Sequence, residues 1–171
     1  MTIKDGKFIA VGSTAEVQKL ANDATEVVDL GGKTVLPGLI DTHHHFLQNL
    51  LKGSRDDLAF VDWIDQVSSP LISMAVLDYL AGDHELQAHA TRLGCAEALL
   101  SGITTILNME WATPQEVVRV YEKAGIRVVH ALYLTDVDSW DSPGMLLSLD
   151  ATLDLSEQLL ARCLASKGGR V

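Results

Sequence analysis

Val35-Leu36-Pro37-Gly38-Leu39-Ile40-Asp41-Thr42-His43-His44-His45 is the stretch on which the reading of the fold turns. An apolar run starts after Gly31-Gly32, is broken by Pro37-Gly38, resumes as Leu39-Ile40, and ends in an acid, a threonine and three histidines. That pattern predicts a short buried strand whose C-terminal end carries metal ligands. Side chains alternate along an extended chain, so His43 and His45 share a face and His44 points to the other. Two neutral imidazoles on one face suit Zn or a similar divalent ion, because both can aim at one point without bending the backbone. Asp41 falls on the same face and is a candidate to orient a ligand by hydrogen bonding. A lone histidine is more often structural, and three together can be a polar loop. Emergence from an apolar strand at two-residue spacing favours the metal reading.

Working outward, Lys4-Asp5-Gly6-Lys7 is a turn before the β run Phe8–Gly12, and Glu26–Leu30 is expected to be a second strand. Ala15–Ala21 has a helical composition but is short. Beyond the histidines, 46–53 reads as a helical turn, and 54–69 as a loop with a short helix ending at Ser68-Ser69-Pro70. Helices are expected over 71–80 and 84–100. In the second, Leu86, Ala90, Leu93, Ala96 and Leu100 recur at helical spacing. His84 and His89 are five apart, which excludes an i,i+4 metal clamp, and both read as surface or helix-end residues. Ile103–Leu107 is a β-branched strand. Thr113-Pro114-Gln115-Glu116 then opens a helix as a capping box, and 126–134 forms the next strand. A helix over 156–167 is stopped by Gly168-Gly169, and Val171 would begin another strand. Alternating strands and helices argue for parallel βαβ units.

The block Pro37–His45 resembles the first metal-binding motif of the amidohydrolase superfamily, proline-glycine, two apolar residues, an acid or amide, then H-x-H. The continuation Phe46–Gly53 resembles the branch holding guanine, cytosine and 8-oxoguanine deaminases and the triazine hydrolases. Gly6–Gly12 and Glu26–Lys33 are similar to that family's small β domain, and Leu93–Met109 to its first barrel helix and second strand. The resemblance implies an α/β fold: the N-terminal part of a metal-dependent (β/α)8 TIM-like barrel, preceded by part of a small β domain. Residues 1–32 would be the partial β domain, and 33–171 about three βα units of an incomplete barrel. A complete barrel needs eight strands and about 250 residues.

By the same resemblance, His43 and His45 hold the metal, and Gln48 falls where this branch often has a glutamine bonded to the heterocycle. A solvated helix residue is an equally good reading of Gln48. The remaining ligands would be histidines on the fifth and sixth strands and an aspartate on the eighth, with the acid in an H-x-x-E motif. None has a matching position here, so no catalytic acid or base is expected within this chain. His130 lies in a strand and reads as a structural histidine. Asn108, Glu110, Trp111 and Trp140 follow strands and are expected on the active-site face.

The implied activity is metal-dependent hydrolysis of a non-peptide C–N bond, as deamination of a cyclic amidine or aminated heterocycle. One alternative is an amidohydrolase acting on a cyclic amide or imidazolone. The other is a truncated, inactive product, and the chain alone is expected not to turn over. Zn is the first choice of metal, with Fe or Mn as alternatives. A small heterocyclic substrate and a homo-oligomeric full-length enzyme are the expected partners. A net charge of −10 argues against nucleic acid. With no apolar leader near Met1 and no run of about 18 apolar residues, neither export nor a membrane span is indicated, and a cytoplasmic enzyme is the default. Cys95 and Cys163 read as small buried hydrophobes.

Overall fold

A computed structural model of the chain describes residues 1–111, 115–133, 148–166 and 171. They divide into two compact units, Met1–Pro37 and Gly38–Val171. The first holds an antiparallel hairpin of β1 (Thr2–Lys4) and β2 (Lys7–Ala10), then the short helix α1 (Thr14–Gln18). Asp5 and Gly6 both take positive φ, 51° and 72°, as a two-residue turn between right-twisted strands requires. Ser13 starts α1, its N–H and hydroxyl both donating to the Glu16 carboxylate. The strand expected over Glu26–Leu30 is not formed. Among the described residues no neighbouring strand pairs with it, and β propensity alone does not hold a strand in water.

The second unit is a three-stranded parallel sheet in the order β3 (Leu39–His44), β4 (Ile103–Glu110), β5 (Arg127–Leu132). Leu39 pairs with Ile103 and Asp41 with Ile106, while Asn108 pairs with His130 and Glu110 with Leu132. Between β3 and β4 run a 3-10 helix (Phe46–Leu51), α2 (Phe60–Trp63), a π-helical turn (Ile64–Ser68), α3 (Ser69–Ala81) and α4 (Glu85–Leu100). α5 (Gln115–Ala124) joins β4 to β5, and α6 (Leu149–Leu164) follows. This is an incomplete barrel.

Gly38 lets β3 start tightly against β4, for a Cβ there would sit 2.1 Å from Thr104 Oγ1. The Leu39 N–H donates to the Gly102 carbonyl at 2.8 Å. Leu39 and Ile40 are nonetheless 58% and 67% exposed, which corrects the expectation of a buried strand. Among the described residues β3 is an edge strand of this sheet, paired on one side with β4.

The core lies between the sheet and α4 and α5, with Phe46, Ile106, Val118, Tyr121 and Ile126 fully enclosed. Partly buried Val171 packs against it. Two helix expectations change. The segment before Pro70 does not end there, because the chain passes through the π turn directly into α3, with Pro70 in its first turn. Proline is tolerated at that position, where its missing N–H has no helical partner to lose. α6 begins at Leu149, capped by the Ser148 hydroxyl, rather than at Ser156. The expected cap Thr113-Pro114, Trp140 and the Gly168-Gly169 stop lie outside the described residues. Glu116 engages His84 Nδ1 at 2.9 Å and Arg119 at 3.7 Å. That pairing makes His84 a half-buried bridge between α4 and α5. His89 is exposed beside Glu85.

α4 buries only part of the expected stripe, for Ala90 is buried and Leu86 packs against the core beside it. Leu93 and Leu100 are 44% and 90% exposed, whereas Ala88, Ala90, Thr91, Gly94, Cys95 and Ala98 are buried. Small side chains let the 3-10 helix approach closely. A Cβ on Gly94 would lie 2.1 Å from Phe46 Cδ1 and 2.4 Å from Asn49 Nδ2. Alanine in mid-helix ordinarily stabilises by about 1 kcal/mol over glycine. Here the overlap with a fully buried ring reverses the sign. Gly94→Ala is expected to cost a net ~1–2 kcal/mol, since overpacking a core costs about 1–3 kcal/mol. A lowered urea midpoint with unchanged slope is the result to look for, and a raised midpoint would refute the contact.

Candidate metal centre

The C-terminal end of β3 brings the His43 and His45 rings together, their centroids 5.0 Å apart and their planes nearly perpendicular. His43 is exposed and His45 half-buried. His45 Nδ1 lies 2.8 Å from the Met109 carbonyl oxygen. A carbonyl only accepts, so Nδ1 carries the hydrogen and Nε2 keeps its lone pair, the form that ligates a metal. Burial pushes the His45 pKa below its ordinary value. The Met109 carbonyl pulls it up, and the neighbouring His43 and His44 push it down further. The ring is therefore held neutral as well as oriented. These residues fit a borderline-soft divalent ion as two of its ligands. Among the described residues, no group of three or more His, Cys, Asp or Glu is placed to hold a metal.

His44 takes another course. Its Nδ1 is 3.0 Å from Asp41 Oδ2, its Nε2 is 3.4 Å from Asn49 Nδ2, and its ring packs edge-on to Phe46. Asp41 is thereby engaged with His44, and its other oxygen accepts the His43 backbone N–H at 3.1 Å. The expectation that Asp41 orients a candidate ligand ring is corrected. The pairing of β3 with β4 shifts between Asp41 and His44, and such an irregularity upsets strict two-residue alternation. Gln48 is half-buried on the 3-10 helix, and its amide donates to Ser68 Oγ at 3.1 Å.

The end of β4 supplies polar groups that the sequence reading left without roles. Asn108 is fully buried. Its Oδ1 accepts from the Phe46 N–H at 2.9 Å, and its Nδ2 donates to Tyr121 Oη at 3.0 Å. Tyr121 Oη in turn lies 3.0 Å from His130 Nδ1, so His130 belongs to a structural network. Burial pushes the His130 pKa down to about 4 and Cys95 up to about 12. Both cysteines are free thiols. Glu110 Oε1 accepts from the Leu47 N–H at 3.0 Å. Glu110 is half-buried and lines a small cavity with Leu47, Gln87, Thr91 and Val117. Desolvation there raises its pKa to about 7 from an ordinary 4.5, against the pull of the amides of Leu47, Asn108 and Phe46.

That shift has a sign. The folded chain keeps the Glu110 proton between about 4.5 and about 7, where the unfolded chain has lost it, so rising pH weakens the fold across that window. Glu110→Gln keeps an acceptor for Leu47 and removes the titration. Relative to the native chain, this variant should gain on the order of 2 kcal/mol between pH 5 and pH 8, below the full shift because the residue is not fully buried. Urea unfolding at the two pH values checks it. A difference independent of pH would show that the carboxyl is solvated.

The profile of the amidohydrolase family matches residues 34–169. A 5-methylthioadenosine/S-adenosylhomocysteine deaminase of Syntrophobacter fumaroxidans is 34% identical over 81% of the chain and 30% of its own length. A 5'-deoxyadenosine deaminase of Methanocaldococcus jannaschii is 30% identical over 79% of the chain and 30% of its own. The chain thus spans about a third or less of these relatives. Among solved structures, a triazine hydrolase variant superposes with a TM-score of 0.58 at 17% identity, covering 74% of this chain and 30% of that one. With an H-x-H pair at the end of the first parallel strand, in an incomplete barrel matched over most of its length, this chain belongs to the amidohydrolase family.

Proposed function

We propose that the intact protein deaminates an aminated heterocycle by metal-dependent hydrolysis, with an adenosine-type base as the favoured substrate. The observation that carries this reading is the pair of imidazole rings 5.0 Å apart at the end of β3, in a chain whose curated relatives are named as adenosine-type deaminases. His43 and His45 would hold the ion, Zn in the first instance, with Fe and Mn accepting the same donors. When bound, such an ion supplies a water whose pKa is lowered toward ~7. The chain's part is positional. His45 presents Nε2 because Met109 holds Nδ1, and desolvation favours the uncharged ring.

Gln48, fixed against Ser68 three residues beyond His45, is proposed for the hydrogen-bonding edge of the heterocycle. The carboxylates that move protons are not assigned among the described residues. A net charge of −10 disfavours nucleic acid as the substrate's carrier, so a free small molecule is the proposed partner, with a homo-oligomer as the working assembly. Among the described residues, no helix is long and apolar enough to cross a membrane. The test is ammonia release by the zinc-loaded intact protein from a panel of adenosine-type nucleosides, aminated pyrimidines and triazines. Release from the adenosine-type members is expected. Silence across the panel with stoichiometric zinc bound would refute the proposal.

A further inference from the structure

Three consecutive residues at the end of β4 meet three consecutive donors of the ligand turn. The Met109 carbonyl takes His45 Nδ1–H at 2.8 Å, Asn108 Oδ1 takes the Phe46 N–H at 2.9 Å, and Glu110 Oε1 takes the Leu47 N–H at 3.0 Å. Phe46 and Leu47 open the 3-10 helix, and the first N–H groups of any helix have no partner within it. Such groups are usually capped by a residue just before the helix. Here that position is His45 itself, whose side chain makes no cap. The caps come instead from a strand more than sixty residues away in sequence.

We propose that Asn108 and Glu110 are positioning residues for the metal centre: by capping Phe46 and Leu47 they hold the backbone so that the His45 ring meets the Met109 carbonyl and presents Nε2. This deepens the proposed function and rests on His45 being a metal ligand. The geometry favours such a role over simple core filling. Asn108 is anchored from behind by Tyr121, which reaches it from α5. The acceptors and the carbonyl all sit on one strand end, so their spacing is fixed by β4 rather than by the turn they hold. With both side-chain caps in place, the Phe46 and Leu47 N–H groups are satisfied and His45 Nδ1 meets a carbonyl. Without a cap, the N–H groups turn toward water, and the ring loses its registration with Met109.

The decisive comparison is Glu110→Gln against Glu110→Met in the intact protein. The two replacements have similar size and neither is charged, but only glutamine keeps an acceptor for Leu47. Methionine removes an enclosed carboxyl without adding an unpaired polar atom to the side chain, so folding is expected. Asn108→Asp against Asn108→Leu repeats the test at the other cap. The probes are Zn affinity, by competition with a chromophoric chelator, and the His45 tautomer, by nitrogen-15 NMR of histidine-labelled apo protein. Loss of a group supporting a ligand typically costs about 10–100-fold in metal affinity. Glu110→Met and Asn108→Leu should weaken Zn by that factor and mix the Nδ1–H and Nε2–H forms of His45, while Glu110→Gln stays within about twofold of the native protein. A purely structural role would lower the melting temperature without moving the tautomer. If Glu110→Met is folded and keeps both native Zn affinity and the Nδ1–H form, the positioning role is overturned, whereas loss of Zn in His45→Ala would leave the metal reading standing. If His45→Ala retains Zn at native affinity, both fall.

Discussion

His45→Ala in the intact protein is expected to remove the bound metal and, with it, turnover. The ring is one of two imidazoles converging at the end of β3, and its Nε2 is the nitrogen left free by the Met109 carbonyl. A catalytic zinc site normally has three protein ligands and a water, so the loss of one both weakens the ion and unseats that water. Zinc should fall from about one equivalent to background after dialysis, and kcat/KM by about a thousandfold or more, equivalent to roughly 4 kcal/mol of barrier. His43→Ala should behave alike. His44→Ala should not, because that ring is spent on Asp41 and Asn49. Stoichiometric zinc with full turnover in either of the first two variants would refute the assignment.

The second large effect is expected at Phe46. Its ring is fully buried against His44, Tyr121 and the bare backbone of Gly94, directly after the candidate ligand. Truncating a phenylalanine in such a setting costs about 3–5 kcal/mol, through lost transfer energy and the cavity left behind. Phe46→Ala is expected to show that loss in urea unfolding, together with weaker zinc binding, since the residue that anchors the turn also carries a capped N–H. A loss below about 1 kcal/mol would mean that the 3-10 helix is not docked on α4 as described.

Much of the fold was readable because its signals are local. The Asp5-Gly6 turn, the H-x-H strand end, the β-branched run before Asn108 and the glycine stop at Gly102 each declare themselves within a few residues, and the structure forms a hairpin, β3, β4 and the end of α4 there. Glu26–Leu30 failed for lack of a partner, which composition does not reveal. On α4, Leu86 and Ala90 of the expected stripe pack inward while Leu93 and Leu100 do not, because side-chain size as well as hydrophobicity decides which face is buried. The run of Ala88, Thr91, Gly94, Cys95 and Ala98 at helical spacing marks close approach by another element, and that signal was available. The pairing of Asp41 with His44 depends on a register shift invisible in the sequence. Asn108 and Glu110 could be placed near the site face from their position after a strand. Their partners could not be named, since Phe46 and Leu47 lie more than sixty residues away and meet them only when β3 and β4 pair.

His43 and His45 are proposed as two ligands of one metal ion. Crystals of the zinc-loaded intact protein, measured at the zinc absorption edge, test this most directly. A single anomalous peak is expected at the end of β3, about 2.0–2.1 Å from a nitrogen of His43 and from Nε2 of His45, with His45 Nδ1 still on the Met109 carbonyl. A zinc peak held by other residues, or bound through His45 Nδ1, would contradict it.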